Sequence, residues 1–356
     1  MRKNWSCNYL KYLTSIVLFA CCIFVAACGG TSKKGNQKSN AVKDTSALGK
    51  LITDVSLKIG ENPKNADLYN QRAKLHLQRK DVANAFIDMN SALALDTTKA
   101  DYFLTLADAH FAASKVSKSK SALEKCLSLD PKNKDAHQKL AELYFYATQY
   151  KEALAQIDEV IKIDINSSPA YFFRGMCYRD MGDTTKAISS FQTATEQNPK
   201  DYNSYLQIAI LYHAKKNKLA LQYYDAALRA NPKVADAYYD RGLFNQEILK
   251  DFDKAIQDYT SCLEVNPKDL RAHFALGFVH YEYLKIYDVA IQHYTDALNI
   301  DPNYAEASFN RGLCYESLGN IAAAASDFNQ ALAARKDYKP AQEALQRVSG
   351  GGKVTR

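Results

Sequence analysis

Beyond its first 50 residues, this 356-residue sequence has no excess of charge of either sign. Residues 1–50 hold eight of the 46 lysines and arginines and one of the 39 aspartates and glutamates, which leaves 38 of each for residues 51–356. The net charge of +7 therefore sits at the N-terminus. The body lacks the basic face that phosphate binding needs, so nucleic acid is not an expected partner. Long apolar runs are also missing. The uncharged stretch Leu13–Ala27 is 15 residues long, short of the roughly 20 that a spanning helix uses. The sequence contains no G-x-S-x-G, no phosphate loop and no H-E-x-x-H, which are the commonest carriers of hydrolytic, nucleotide and zinc chemistry. Neither a catalytic residue, a cofactor, a metal nor a small-molecule substrate is expected. Tryptophan is confined to Trp5.

What is present at the N-terminus is a basic start, the apolar run, and small residues at its end, the three-part pattern of a secretory signal over 1–27. The run closes on Val25-Ala26-Ala27-Cys28, which resembles the lipobox of bacterial lipoproteins. That resemblance implies cleavage before Cys28 and acylation of Cys28, and so a membrane contact through an N-terminal lipid. Gly29 and Gly30 follow Cys28, with no Asp and no acidic run. The expected location is the periplasmic face of the outer membrane, with the inner membrane as the alternative. Residues 28–46, rich in Gly, Ser, Lys and Asn, read as a flexible basic tether.

The rest of the chain is periodic. Small residues recur at Ala73, Ala107, Ala141, Gly175, Ala209, Gly242, Gly277 and Gly312, always 33 to 35 residues apart. A second ladder runs Ala85, Ala153, Ala187, Ala220, Ala255, Ala290, Ala324, and prolines fall at 63, 131, 199, 232, 267 and 302. Within one period, Gly312 and Tyr315 share a helix face, as do Ala324, Phe328 and Ala331. Each period is then a pair of amphipathic helices that meet through small residues. Such a pair cannot bury both of its faces alone, so neighbours must stack. These residues resemble the tetratricopeptide pattern W-x2-L-G-x2-Y…A-x3-F…P over 66–99, 100–133, 134–167, 168–201, 202–234, 235–269, 270–304 and 305–338, repeats 1 to 8 below. Ser119 stands where the second-helix alanine is expected, Thr97 and Ile165 replace the closing proline, and repeats 6 and 7 carry one extra residue between helices. Their turns should differ. The resemblance implies an all-α fold, a right-handed α-solenoid of eight helix-turn-helix hairpins over 66–338. An N-terminal capping helix is expected in 47–65, a C-terminal one in 339–348, and a disordered tail at 349–356.

Cys126, Cys177, Cys262 and Cys314 replace small residues on packing faces, and no two fall in adjacent repeats. A solenoid brings only neighbours together, so buried free thiols are expected rather than disulfides. His76, His110 and His280 stand at the first-helix tyrosine site and read as core substitutes, since metal-type clustering is missing.

In the family the first helices line a concave groove that holds peptides or partner helices. Carried onto this sequence, the front half of that groove is polar and mostly acidic: Asp67, Asn70, Lys74, Asp101, Leu104, Asp108, Asp135, Gln138, Glu142 and Phe145. The back half is apolar: Phe172, Met176, Leu206, Ile210, Tyr239, Leu243, Phe274, Phe278, Tyr281, Phe309 and Leu313. The back half is expected to grip an apolar polypeptide segment, a peptide or an amphipathic helix, while the acidic front selects basic flanks. No lysine occupies the carboxylate-clamp sites of chaperone-tail binders, so that subtype is excluded. The expected function is a membrane-anchored, non-catalytic scaffold that assembles an envelope complex. A periplasmic holdase without a fixed partner, or a non-catalytic subunit of an envelope enzyme, is the alternative.

Overall fold

The computed structural model describes residues 46–350. The expected signal peptide, Cys28 and most of the tether lie outside the described residues, as does the chain from residue 351. Ser349, expected to begin the tail, instead closes the last helix.

Among the described residues there are 18 α-helices and no strand. α1 (Ala47–Glu61) precedes eight hairpins: α2 (Ala66–Gln78) with α3 (Val82–Leu95), α4 (Ala100–Ala112) with α5 (Val116–Leu129), α6 (Lys134–Tyr146) with α7 (Tyr150–Ile163), α8 (Ser168–Asp180) with α9 (Thr184–Gln197), α10 (Tyr202–Ala214) with α11 (Leu219–Ala230), α12 (Ala235–Phe244) with α13 (Phe252–Val265), α14 (Leu270–Phe278) with α15 (Tyr287–Ile300), and α16 (Ala305–Ser317) with α17 (Ile321–Ala334). α18 (Lys339–Ser349) follows. From α2 onward, each helix packs on the next in sequence, so every hairpin touches only its neighbours.

Local chemistry explains where each helix starts and stops. Asn65, Asp81, Asn133, Asp183, Asp201, Asp251, Asp269 and Asn320 each cap a helix by accepting a hydrogen bond from a first-turn backbone N–H. Each second helix ends on an extended residue. In seven of the eight, that residue is Asp or Asn, and its side chain accepts from the backbone N–H two residues on: Asp96, Asp130, Asp164, Asn198, Asn231, Asn266 and Asp301. This turn forms equally in the repeats where Thr97 and Ile165 replace proline, so proline is dispensable there.

Between the two helices of every repeat lies one residue with positive φ, in chain order Lys80, Ser114, Thr148, Gly182, Lys216, Lys250, Lys285 and Gly319. In six repeats the next residue donates its N–H to the carbonyl five residues back, as from Asp81 to His76 at 2.8 Å, which closes the helix in the Schellman manner. In repeats 6 and 7 the bond reaches six back, from Asp251 to Asn245 at 3.0 Å and from Ile286 to His280 at 2.9 Å. The extra residue has become a π-helical turn, Asn245–Leu249 and Val279–Leu284, at the end of the first helix.

The core is a column of methyl-sized contacts filled in by rings. All seven alanines of the second ladder are fully buried, as are Ala73 and Ala141. A Cβ added at Gly175, Gly242, Gly277 or Gly312 would meet the ring of Phe191, Tyr259, Tyr294 or Phe328 at 2.6 to 2.8 Å. Where the first helix carries Ala73, Ala107 or Ala141, the facing residue is the aliphatic Met89, Leu123 or Ile157. Repeat 5 pairs Ala209 with Tyr224, 15 positions apart where the other repeats use 16 or 17. Ser119 is satisfied in the core by donating to the Ala107 carbonyl at 2.8 Å.

Candidate functional site

The face assigned to the groove is built from the first helices, and the structure divides its residues into three groups. Residues at the fifth position of a repeat are packing residues. Phe172 lies against Phe191 at 5.8 Å between ring centroids, Phe274 between Tyr294 and Tyr304 at 5.5 and 5.1 Å, and Phe309 between Phe328 and Tyr338 at 5.8 and 5.4 Å. Tyr239 sits over Tyr259 and under the Arg271 guanidinium, 4.6 Å from its ring. Phe274 is only 8% exposed. These rings seal one repeat onto the next, which corrects the expectation of an open aromatic stripe; Phe274 in particular belongs to the core.

Met176, Leu206 and Leu313 are half-buried and pack against the cores of their own repeats. Tyr281 packs on Tyr287, and burial raises its hydroxyl pKa to about 12. Ile210, Leu243 and Phe278 form the third group. They are half-buried at the same position of three successive first helices, in repeats 5, 6 and 7, and the two π-turns follow directly on the helices that carry Leu243 and Phe278.

The acidic front differs from expectation. Asp67 binds Lys99 at 2.7 Å and accepts from the Tyr102 hydroxyl at 2.6 Å, and the Lys99 ammonium lowers its pKa. Asp101 pairs with Lys74 at 2.8 Å and accepts from Asn70 at 2.7 Å, and Asp108 pairs with Lys139 at 2.8 Å. The bonds of Asp101 and Asp108, and that of Asp67 with Tyr102, join neighbouring repeats, while Lys99 closes repeat 1 itself, so three of the carboxylates assigned to selecting basic flanks already hold lysines of this chain.

A set of polar residues invisible to the periodicity lies behind this face. The residue before the small one is arginine in repeats 1, 4, 6 and 8; Arg174 of repeat 4 donates to Ser190 at 3.2 Å, and the other three grip an aspartate. Arg72 clasps Asp88 with bonds of 2.9 and 2.6 Å, Arg311 clasps Asp327 at 2.8 Å through both nitrogens, and Arg241 holds Asp258 in the same way. The third nitrogen reaches the preceding second helix, to Ser56 at 2.9 Å, Asp225 at 2.6 Å and Thr295 at 3.1 Å. Ser56 lies on α1, which thus takes the place of a second helix before repeat 1. Burial pushes the Asp258 carboxyl up even beside Arg241. The signal was in the sequence, as Arg before Ala or Gly with Asp sixteen or seventeen residues on, but it needs the helix pairing to be read.

Reactive chemistry is muted. The four cysteines among the described residues are free and buried, and burial raises their pKa to about 11 at Cys126 and about 12 at Cys177, Cys262 and Cys314. Thiols this far from ionisation are poor nucleophiles at neutral pH. His76 packs near Asp81 and Asp88, and His110 against Phe86. Histidines do cluster in repeat 7, however, where His273 and His293 converge with Asp296; by sequence alone such a grouping was missing.

Models of the tetratricopeptide repeat match residues 110–172, 174–233, 235–269 and 305–338, and a further TPR-repeat model matches 286–319, together more than half of the chain. No curated protein matches. Among solved structures, the C-terminal part of a TPR repeat-containing protein from Cytophaga hutchinsonii is 17% identical, with a TM-score of 0.59 over 68% of this chain and 99% of that one. PilF of Pseudomonas aeruginosa is 20% identical, with a TM-score of 0.52 over 60% of this chain and 96% of its own. At these identities the likeness is one of fold.

Proposed function

The chain belongs to the tetratricopeptide repeat family, and from that premise we propose that it is a scaffold, tethered to a membrane by a lipid on Cys28, that holds a polypeptide segment of an envelope complex against its later repeats. The repeat array is a protein–protein interaction fold. The observation that carries the finer reading is the row Ile210, Leu243 and Phe278, three half-buried apolar side chains at one position of successive first helices. A partner helix or extended segment laid along that row would complete their burial, which contributes about 25 cal/mol per Å² of apolar surface removed from water. The high thiol pKa values support a binding rather than a catalytic role.

The anchor rests on the signal pattern of residues 1–27 and the small-small-Cys ending. Cleavage there removes Trp5, the single tryptophan. Tryptophan emission from membrane-extracted protein would refute it. The binding reading is tested by crosslinking in intact envelopes followed by mass spectrometry. Wild-type protein should retain one abundant partner, linked near Leu243 and Phe278. Combined Ile210→Ala, Leu243→Ala and Phe278→Ala should lose that partner while the protein stays folded. Unchanged recovery would remove this face from consideration, and a broad spread of clients would favour a holdase.

A further inference from the structure

Repeats 3 and 7 both carry histidine at their fourth position, His137 and His273, and the difference between them points to a ligand. Each ring places Nε2 against the carbonyl of the proline six residues earlier, at 3.0 Å to Pro131 and 3.1 Å to Pro267. A carbonyl only accepts, so Nε2 carries the proton, and in the neutral ring Nδ1 keeps its lone pair. In repeat 3 the Nδ1 of His137 lies 2.7 Å from Oε1 of Gln156; with Nε2 protonated, turning that amide over puts its NH2 there to donate to the lone pair. In repeat 7 the residue in the place of Gln156 is His293. There the Nδ1 of His273 is buried with no hydrogen-bond partner, and so is the Nδ1 of His293. Two orphaned buried nitrogens, on rings whose centroids lie 6.2 Å apart, are costly unless something satisfies them.

Asp296 supplies the third member. It lies one turn beyond His293 on α15 and brings Oδ2 to 4.0 Å from the Nδ1 of His273. Its Oδ1 accepts from Gln292 at 3.1 Å. One donor atom from each of His273, His293 and Asp296 lies within 4.8 Å of the other two. We propose that these three residues bind a divalent transition-metal ion of the zinc class in the seam between the helices of repeat 7. Two imidazole nitrogens and one carboxylate oxygen form a donor set suited to zinc and its neighbours, whereas calcium and magnesium prefer oxygen alone. The Pro267 carbonyl does for His273 what outer-shell carbonyls do for metal-bound histidines, holding the tautomer and aiming the free nitrogen.

Metal bonds of about 2.0–2.1 Å put tetrahedral donors roughly 3.3 Å apart, so the donors need to close by no more than about 1.5 Å, within the reach of side-chain rotation. His280, its ring centroid 5.6 Å from that of His293, donates Nδ1–H to the Leu276 carbonyl at 2.8 Å and keeps Nε2 as its acceptor. Three protein ligands leave at least one coordination position open.

The test is titration of the full-length protein with Zn2+ by calorimetry and with Co2+ by visible absorption. Wild-type protein should bind one equivalent and unfold at a higher temperature in its presence. Asp296→Asn, an isosteric change at a partly exposed side chain, and His293→Gln should each weaken binding at least tenfold with unchanged circular dichroism. His137→Gln, at the satisfied counterpart, should leave binding intact. Absent binding, binding indifferent to Asp296→Asn and His293→Gln, or a thiolate-to-cobalt charge-transfer band that places the ion on cysteine would each overturn the assignment.

Discussion

Gly175→Ala isolates the contact on which the hairpins are built. The added methyl would stand 2.6 Å from both Cδ1 and Cε1 of Phe191 and 2.9 Å from its Cγ. Carbon atoms rest about 3.5–4.0 Å apart, so the ring or the helix must retreat by roughly 1 Å. Overpacking of this kind costs about 1–3 kcal/mol, while alanine returns about 1 kcal/mol as the better helix former. The net loss is about 1 kcal/mol. Phe191→Ile alone leaves a gap and should cost about 1–2 kcal/mol. Together the two substitutions rebuild the Ala141 and Ile157 pair that the preceding repeat already uses, so the methyl fills the space the ring vacates. The double variant should lie within about 1 kcal/mol of wild type, a favourable coupling of roughly 1–2 kcal/mol. Urea unfolding followed by circular dichroism reads the cycle, and hydrogen exchange over 168–197 localises it, because an array opens by neighbouring units. Single-variant costs that add to within about 0.5 kcal/mol would show that glycine and ring do not determine each other.

Arg241→Met should destabilise by about 3–5 kcal/mol, because it strands Asp258, whose side chain is 5% exposed. Arg241→Met combined with Asp258→Leu should recover most of that loss in chemical denaturation; a single variant as mild as the double would mean that the pair contributes little. Burial lowers the pKa of His213, which meets the Tyr224 hydroxyl at 3.0 Å, to about 4. A depressed pKa means that the unfolded chain binds the proton more readily, so His213 contributes fully above about pH 6.5 and loses its contribution as pH falls toward 4. The loss is at most about 3 kcal/mol. His213→Gln should flatten the fall in unfolding free energy over that window, and an unaltered slope would assign it to other groups.

How much of the fold was legible follows from how far apart the cooperating residues are. The small-residue and alanine ladders located every hairpin, because residues three and four apart on one helix decide its buried face without help from elsewhere. The Asx turns and aspartate caps are equally local. The extra residue in repeats 6 and 7 was visible as a length, but its place was not. It could lengthen the linker or widen the helix, and keeping the same carbonyl, that of Asn245 or His280, as acceptor for the turn selected the π-helix. The groove was legible as a set of positions and not as an exposure. Phe274 and Phe309 share the groove position, yet each is covered by the tyrosine that caps the helix following its repeat, Tyr304 or Tyr338. Of the lysines that occupy Asp67, Asp101 and Asp108, Lys74 and Lys139 arrive from neighbouring repeats and Lys99 from the end of the same one.

The sequence by itself determined the period and the pairing of helices, since each depends on spacing within about one repeat. Only the tertiary structure decided what faces what across the helix pairs. The brackets of Arg72, Arg241 and Arg311 and the meeting of His273, His293 and Asp296 join residues 16 to 23 positions apart through the register of two packed helices. That register is set by side-chain packing against Ala255, Ala290 and their equivalents, and no pattern along a single helix records it.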